Sequence, residues 1–356
     1  MGYDSVVYLT DLEHERWLQD QYLDKFSDPD VMVGRTVERR ARGDTGIPTP
    51  WSKLQGLYSI PSGGVTIIGG YSGSNKSTMA NQMCVHAASC GKRVAVASLE
   101  LPADYVFEMM AEQAAVVPTP HEPFLDEFAQ WADQKIFFVD TTEVLEPADV
   151  IEMIRVARVM LGCDVFLLDC LLQVNLSTEL EAEKAFITRL STLSRELEMA
   201  VILVHHVRKA SGDKGERHIP NKADLLGSSH LVNSAASVLL LWKDPDKDAD
   251  DRDPTKPDFL LNVAKSRYMP FQGTVGLYQH PKTRILCNNR HRQYQPVDLR
   301  REPECPTSTE SPVATAPSGS TTSETQSNTS RTEHETMTKT VSHGSTHSTT
   351  TPFWPN

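Results

Sequence analysis

Val65-Thr66-Ile67-Ile68-Gly69-Gly70-Tyr71-Ser72-Gly73-Ser74-Asn75-Lys76-Ser77-Thr78 is an apolar run, a glycine-bearing turn and a Lys-Ser pair, with a helical pattern directly behind it. The run predicts a buried strand and the glycines a tight turn. A strand that turns sharply into a helix aims loop amides and a helix N-terminus at one point, and that arrangement cradles phosphate. In this reading Lys76 neutralises the outer phosphates of a nucleotide and Ser77 offers its hydroxyl to Mg2+. Gly70 and Gly73 let the backbone close around the ligand, and Ser74, Asn75 and Thr78 complete the cradle. The position before the lysine, ordinarily glycine, is Asn75. Asparagine tolerates positive φ better than other side chains, but it adds bulk beside the phosphates.

Outward from this loop, short apolar runs alternate with helical patterns between residues 46 and 300. After the loop come a helix from Lys76, the run Arg93–Glu100 (RVAVASLE), the run Lys135–Asp140 (KIFFVD) and a helix from Pro147 to Leu161. Asp164–Asp169 (DVFLLD), a longer helix and Val201–His206 (VILVHH) follow. The alternation predicts an α/β fold, a mostly parallel twisted sheet flanked by helices. Phe186, Ile187, Leu190, Leu193 and Leu197 fall on one face at helical spacing, which fixes the longer helix. SVLLLWK, DFLLNVAKSR, GTVGLY and RILCN close the region without helices between them and predict an antiparallel C-terminal extension.

Two strand ends carry carboxylates. Asp169 terminates Val165–Asp169, where a strand of a parallel sheet delivers a magnesium-binding aspartate to its C-terminal edge. Glu100 follows the strand beginning at Arg93, in position to orient and deprotonate an attacking water.

Composition restricts what surrounds this core. The formal net charge is -12 over 356 residues, so any grip on a nucleic acid must come from local basic clusters. The six cysteines form no C-x2-C pair, which speaks against a zinc ribbon or a disulfide framework. No run reaches the roughly 18 to 20 apolar residues of a membrane span, and the expectation is a soluble, intracellular protein without membrane partners. Residues 1–44 read as an extension with one amphipathic linker helix, its stripe made by Leu18, Tyr22 and Phe26, followed by the basic run Arg35, Arg39, Arg40 and Arg42. Residues 301–356 are rich in Ser, Thr and Pro and read as a disordered tail, with Phe353 and Trp354 near its end as a docking motif.

G-x4-N-K-S at residues 70–77, SLELP at 98–102, FLLD at 166–169, VHHVRK at 204–209, DLLGS at 224–228 and AKSR at 264–267, in that order, resemble the motor domain of DnaB-like replicative helicases, including phage helicases fused to primases. The opening Thr45-Gly46-Ile47-Pro48-Thr49 resembles the start of that domain, so the likeness spans residues 45–300 as a RecA-like ATPase domain. The resemblance implies ATP and Mg2+ as ligands, a hexameric ring and single-stranded DNA as the track. It implies Glu100 as the catalytic glutamate and His206 as the sensor of the γ-phosphate. Arg267, with Lys265 beside it, would be the finger reaching into a neighbouring subunit's site, and Arg208, Lys209, Lys214 and Arg217 the pore loop that grips DNA. It further implies the cytoplasm of a bacterium or of a phage-infected cell, and a primase, polymerase or loader as partners through the tail. The stretch before residue 45 is short and free of cysteines, so no primase or zinc module is expected there.

This chain has Leu226 where the family usually carries arginine, and Ala236 where an acid is common. Together with Asn75 these departures support a second reading, a helicase-derived scaffold or loader that binds nucleotide and DNA with little turnover. A strand-exchange recombinase shares the fold and the phosphate loop, but SLELP and AKSR fit the helicase branch better.

Overall fold

The computed structural model describes residues 11–41, 46–141, 143–176, 180–208, 217–227, 229–249 and 251–300. Thr45, Lys209, Lys214, Ser228 and the whole segment 301–356, with Phe353 and Trp354, lie outside the described residues.

Nine strands form one sheet: β1 (Val65–Gly70), β2 (Val94–Ser98), β3 (Ile136–Phe138), β4 (Val165–Asp169), β5 (Ala200–His206), β6 (Ser237–Lys243), β7 (Phe259–Ser266), β8 (Gly273–Gln279) and β9 (Leu286–Cys287). Their spatial order is β3-β2-β4-β5-β1-β6-β7-β8-β9. Pairing is parallel from β3 through β6 and antiparallel from β6 through β9. The sheet is thus mostly parallel with an antiparallel C-terminal end, as the alternating pattern predicts.

SVLLLWK departs from the expectation. It is β6, and it pairs parallel with β1 rather than belonging wholly to the antiparallel extension. A six-residue helix, α8 in the numbering below, precedes it and carries the crossover that the sequence pattern did not signal.

The central strands are apolar on both faces because helices cover both. Ile68, Val96, Leu167, Ile202 and Leu239 face one core, packed by α3 (Lys76–Ser89), α4 (Ala103–Ala115) and α5 (Glu122–Ala132). Ile67, Ala95, Phe166, Leu203 and Leu240 face the other, packed by α6 (Pro147–Val159), α7 (Leu180–Glu196) and α8 (Ser229–Ser234). Successive residues of a strand point to opposite faces, so each strand feeds both cores. In α7 the side chains of Phe186, Ile187, Leu190 and Leu193 are buried, and Leu197, just past the helix, packs on the same core.

At the other end of the described chain, α1 (Asp11–Tyr22) and α2 (Pro29–Ala41) carry Trp17, Leu18, Tyr22, Val33 and Val37 exposed. The expected stripe is interrupted, since Leu23–Lys25 tighten into a 3-10 turn and Phe26 stands extended, 78% exposed, beyond the helix. Pro29 explains the break: it disfavours helical backbone at the residue before it, yet suits the first position of the next helix. Arg35, Arg39 and Arg40 lie exposed on α2. Among the described residues no helix is long and apolar enough to cross a membrane, and no disulfide joins Cys84, Cys90, Cys163, Cys170 and Cys287.

Candidate active site

β1 runs into the phosphate loop, and the loop into α3, as the opening stretch predicts. Asn75 caps α3 at φ 63° and ψ 30°, in the left-handed region where asparagine is better tolerated than other side chains. Gly70 is required by close approach: a Cβ there would stand 2.5 Å from the carbonyl oxygen of Leu241 and 2.6 Å from Ser74 Oγ. Lys76 is only 5% exposed, and its Nζ donates to the Tyr71 carbonyl at 2.8 Å. Burial lowers its pKa, against the opposing pull of Asp169, Glu100 and Cys170.

Strand register brings the acids to this loop. Gly70 stands level with His206 across β1 and β5, and Ser98 level with Asp169 across β2 and β4. Leu99 N–H donates to the Asp169 carbonyl at 2.6 Å, which fixes the exit of β2 toward Glu100. Asp169 is 4% exposed. Burial pushes its carboxyl up to about 6; the Ser77 hydroxyl opposes this, the Glu100 carboxylate adds to it and Lys76 opposes it. Its Oδ1 and the Ser74 hydroxyl are buried with no hydrogen-bond partner among the described residues. Orphaned oxygens beside a second hydroxyl form a hard, oxygen-only donor set that fits Mg2+ and a phosphate.

Glu100 is exposed, and two side chains meet its Oε1: His206 Nε2 lies 3.8 Å away, and the Cys170 thiol donates to it at 2.9 Å. Burial and Lys76 lower the His206 pKa, with Glu100 opposing. Burial, with the Glu100 bond next, raises the Cys170 thiol to about 12.

Lys265 and Arg267 stand at the other edge of the sheet. β7 is antiparallel, so its last residue, Ser266, pairs with Ser237, and Ser237 stands level with Thr66 near the start of β1. Four residues of strand, roughly 13 Å, separate that level from the phosphate loop. There Lys265 Nζ donates to the carbonyls of Val232 at 2.7 Å and Asn233 at 3.0 Å, and Arg267 Nη2 to Asn233 at 2.5 Å. Burial, then Arg267 and Lys222, lowers Lys265 to about 8.

The basic loop after His206 rises from the phosphate-loop edge. Its stem is the bridge between Val207 and Leu225, with Arg208 N–H donating to the Asp224 carbonyl at 2.6 Å. Arg208 and Arg217 are exposed, and Arg217 pairs with Asp246 at 2.8 Å. Tyr71 of the phosphate loop donates its hydroxyl to the His218 carbonyl at 3.1 Å, so the two loops are tied directly.

Residues 46–286 match the family model of the DnaB-like helicase C-terminal domain. The chain belongs to this family. Among solved structures it resembles the ATPase domain of a phage protein at TM-score 0.62 and 17% identity, over 74% of this chain and 99% of that one. It also resembles a DnaB-like replicative helicase, solved in a study of its interactions with primase, at TM-score 0.58 and 17% identity, over 74% of this chain and 67% of that one. No curated protein matches it.

Within this DnaB-like domain the three departures fall in different places. Asn75 sits in the phosphate loop itself. Leu226 belongs to the stem of the basic loop, its N–H donating to the His206 carbonyl at 3.0 Å and its carbonyl facing His205 Nε2 at 3.1 Å. Ala236 is buried at the far edge, where a Cβ on Gly64 would meet its own Cβ at 2.6 Å. That pocket holds a methyl group and leaves no space for a carboxylate. Tyr71 and Cys170 went unnoticed as site residues. Cys170 directly follows Asp169, and that adjacency was the available signal.

Proposed function

We propose that this chain is the motor of an ATP-dependent DNA helicase of replication, working as a homo-oligomeric, hexameric ring that travels on single-stranded DNA. One observation carries the reading: Lys76, Glu100, Asp169 and His206 share one edge of the sheet, while Lys265 and Arg267 sit at the opposite edge. No arginine side chain spans that separation, so a finger on β7 serves a neighbour's nucleotide rather than its own. A site split in this way makes turnover depend on assembly.

In this account Lys76 holds the outer phosphates, Ser77 and Asp169 hold Mg2+, and Glu100 orients a water molecule and accepts its proton. Mg2+ supplies charge neutralisation at the phosphate oxygens. His206 reads the γ-phosphate, and its backbone passes directly into the stem of the basic loop. Arg208, Lys209, Lys214 and Arg217 take the DNA backbone. The exposed side chains of α1 and α2 dock on the adjacent subunit. The Ser/Thr-rich tail recruits a primase, polymerase or loader, in a bacterial or phage-infected cytoplasm. The scaffold reading rests on Asn75, and the left-handed backbone that Asn75 adopts leaves the cradle formed.

Steady-state ATP hydrolysis by the full chain, with and without single-stranded DNA, tests the proposal. DNA-stimulated turnover is expected, reduced about 10²- to 10⁴-fold in Glu100→Gln as for loss of a general base. Bound nucleotide without turnover would favour the scaffold.

A further inference from the structure

Glu100, Cys170 and His206 offer a carboxylate oxygen, a sulfur and an imidazole nitrogen that all lie within 4.8 Å of one another. A tetrahedral zinc ion, with bonds of about 2.0 to 2.3 Å, needs donors roughly 3.3 to 3.8 Å apart. The sulfur stands 2.9 Å and the imidazole Nε2 3.8 Å from the same carboxylate oxygen, so the three donors need only small adjustments. They come from the ends of β2, β4 and β5, three neighbouring strands of the sheet, which pre-organises them.

We propose that Glu100, Cys170 and His206 form a transition-metal site for Zn2+ or a similar ion, separate from the oxygen-only magnesium site and inhibitory to it in effect. Sulfur and imidazole select Zn2+ or Co2+ over Mg2+, which prefers the hard oxygens of Asp169 and Ser77. A thiolate and a carboxylate cancel the charge of a divalent ion, so the filled site is neutral beside Lys76. On binding, the thiol proton that now bridges Cys170 and Glu100 is released to solvent, and sulfur bonds to the metal. Glu100 is exposed and His206 half-buried, which leaves the fourth position to water. The metal withdraws the base and the γ-phosphate sensor from hydrolysis. This consequence rests on the proposed function, whereas the metal site does not.

Co2+ added alone to the full chain tests the site without any turnover. One equivalent is expected to give a sulfur-to-cobalt charge-transfer band in the near ultraviolet, which Zn2+ bleaches. Cys170→Ser should abolish the band, and His206→Gln should weaken Co2+ binding by about tenfold or more, each variant being checked for wild-type circular dichroism. Should Cys170→Ser fail to fold, His206→Gln decides. No band, a band that survives Cys170→Ser, or unchanged affinity in His206→Gln would overturn the site. In parallel, micromolar Zn2+ should cut ATP turnover and a chelator restore it. A cobalt band in a protein that hydrolyses no ATP upholds the site and overturns the proposed turnover. A band with zinc-indifferent hydrolysis overturns the inhibitory role.

Discussion

Asp169 is buried where its charge is costly until a cation arrives. Its folded pKa of about 6 lies above the ordinary 3.8, so the folded chain holds this proton more tightly than the unfolded one. The stability contribution is therefore complete below the unfolded pKa and is lost as pH rises through the folded pKa. With magnesium chelated, Asp169→Asn should gain up to about 3 kcal/mol relative to wild type between pH 4 and 7. Urea unfolding of both proteins at the two pH values measures this, and parallel pH dependences would contradict it. Gly70→Ala forces a methyl group against the Leu241 carbonyl and Ser74. It should cost about 1 to 3 kcal/mol in thermal unfolding and weaken nucleotide binding, read by a fluorescent ATP analogue. Lys76 and Ser77 were legible from sequence because their chemistry is local to one turn. The meeting of Cys170 with Glu100 was not, since 70 residues separate them and only the β2–β4 register joins them.

Elements were legible where periodicity is strong. Continuous apolar runs identify β1, β4 and β5, and the spacing of Phe186, Ile187, Leu190 and Leu193 identifies α7. The reading passed over α4 and α5, although Phe128, Trp131 and Ala132 are buried at helical spacing and offered the signal. It extended the first helix through Phe26 because periodicity alone does not register the conformational effect of Pro29. The parallel pairing of β6 was hidden for a related reason: α8 is too short to show a period. α1 and α2 present aromatic and aliphatic side chains with no covering core among the described residues. Deleting residues 1–30 should therefore leave mainly monomers by mass photometry at concentrations where the full chain forms rings. A ring that survives the deletion would remove these helices from assembly.

For the whole molecule, the net charge of -12 requires nucleic-acid binding to be confined to the basic loop, and that loop is tied to the phosphate loop through Tyr71 and His218. Nucleotide site, DNA loop and finger thus occupy one rigid sheet, with the finger at the wrong edge for its own ATP. Sequence reading reached each part separately, but the separation of the two edges needed the antiparallel turn of β7. The most direct test is DNA-stimulated ATP hydrolysis per subunit as a function of protein concentration, with oligomeric state measured alongside and Arg267→Ala as control. The account predicts inert monomers, turnover that appears with the ring, and Arg267→Ala rings slower by about 10³-fold or more. Full turnover by monomers, or an Arg267→Ala ring indistinguishable from wild type, would contradict it.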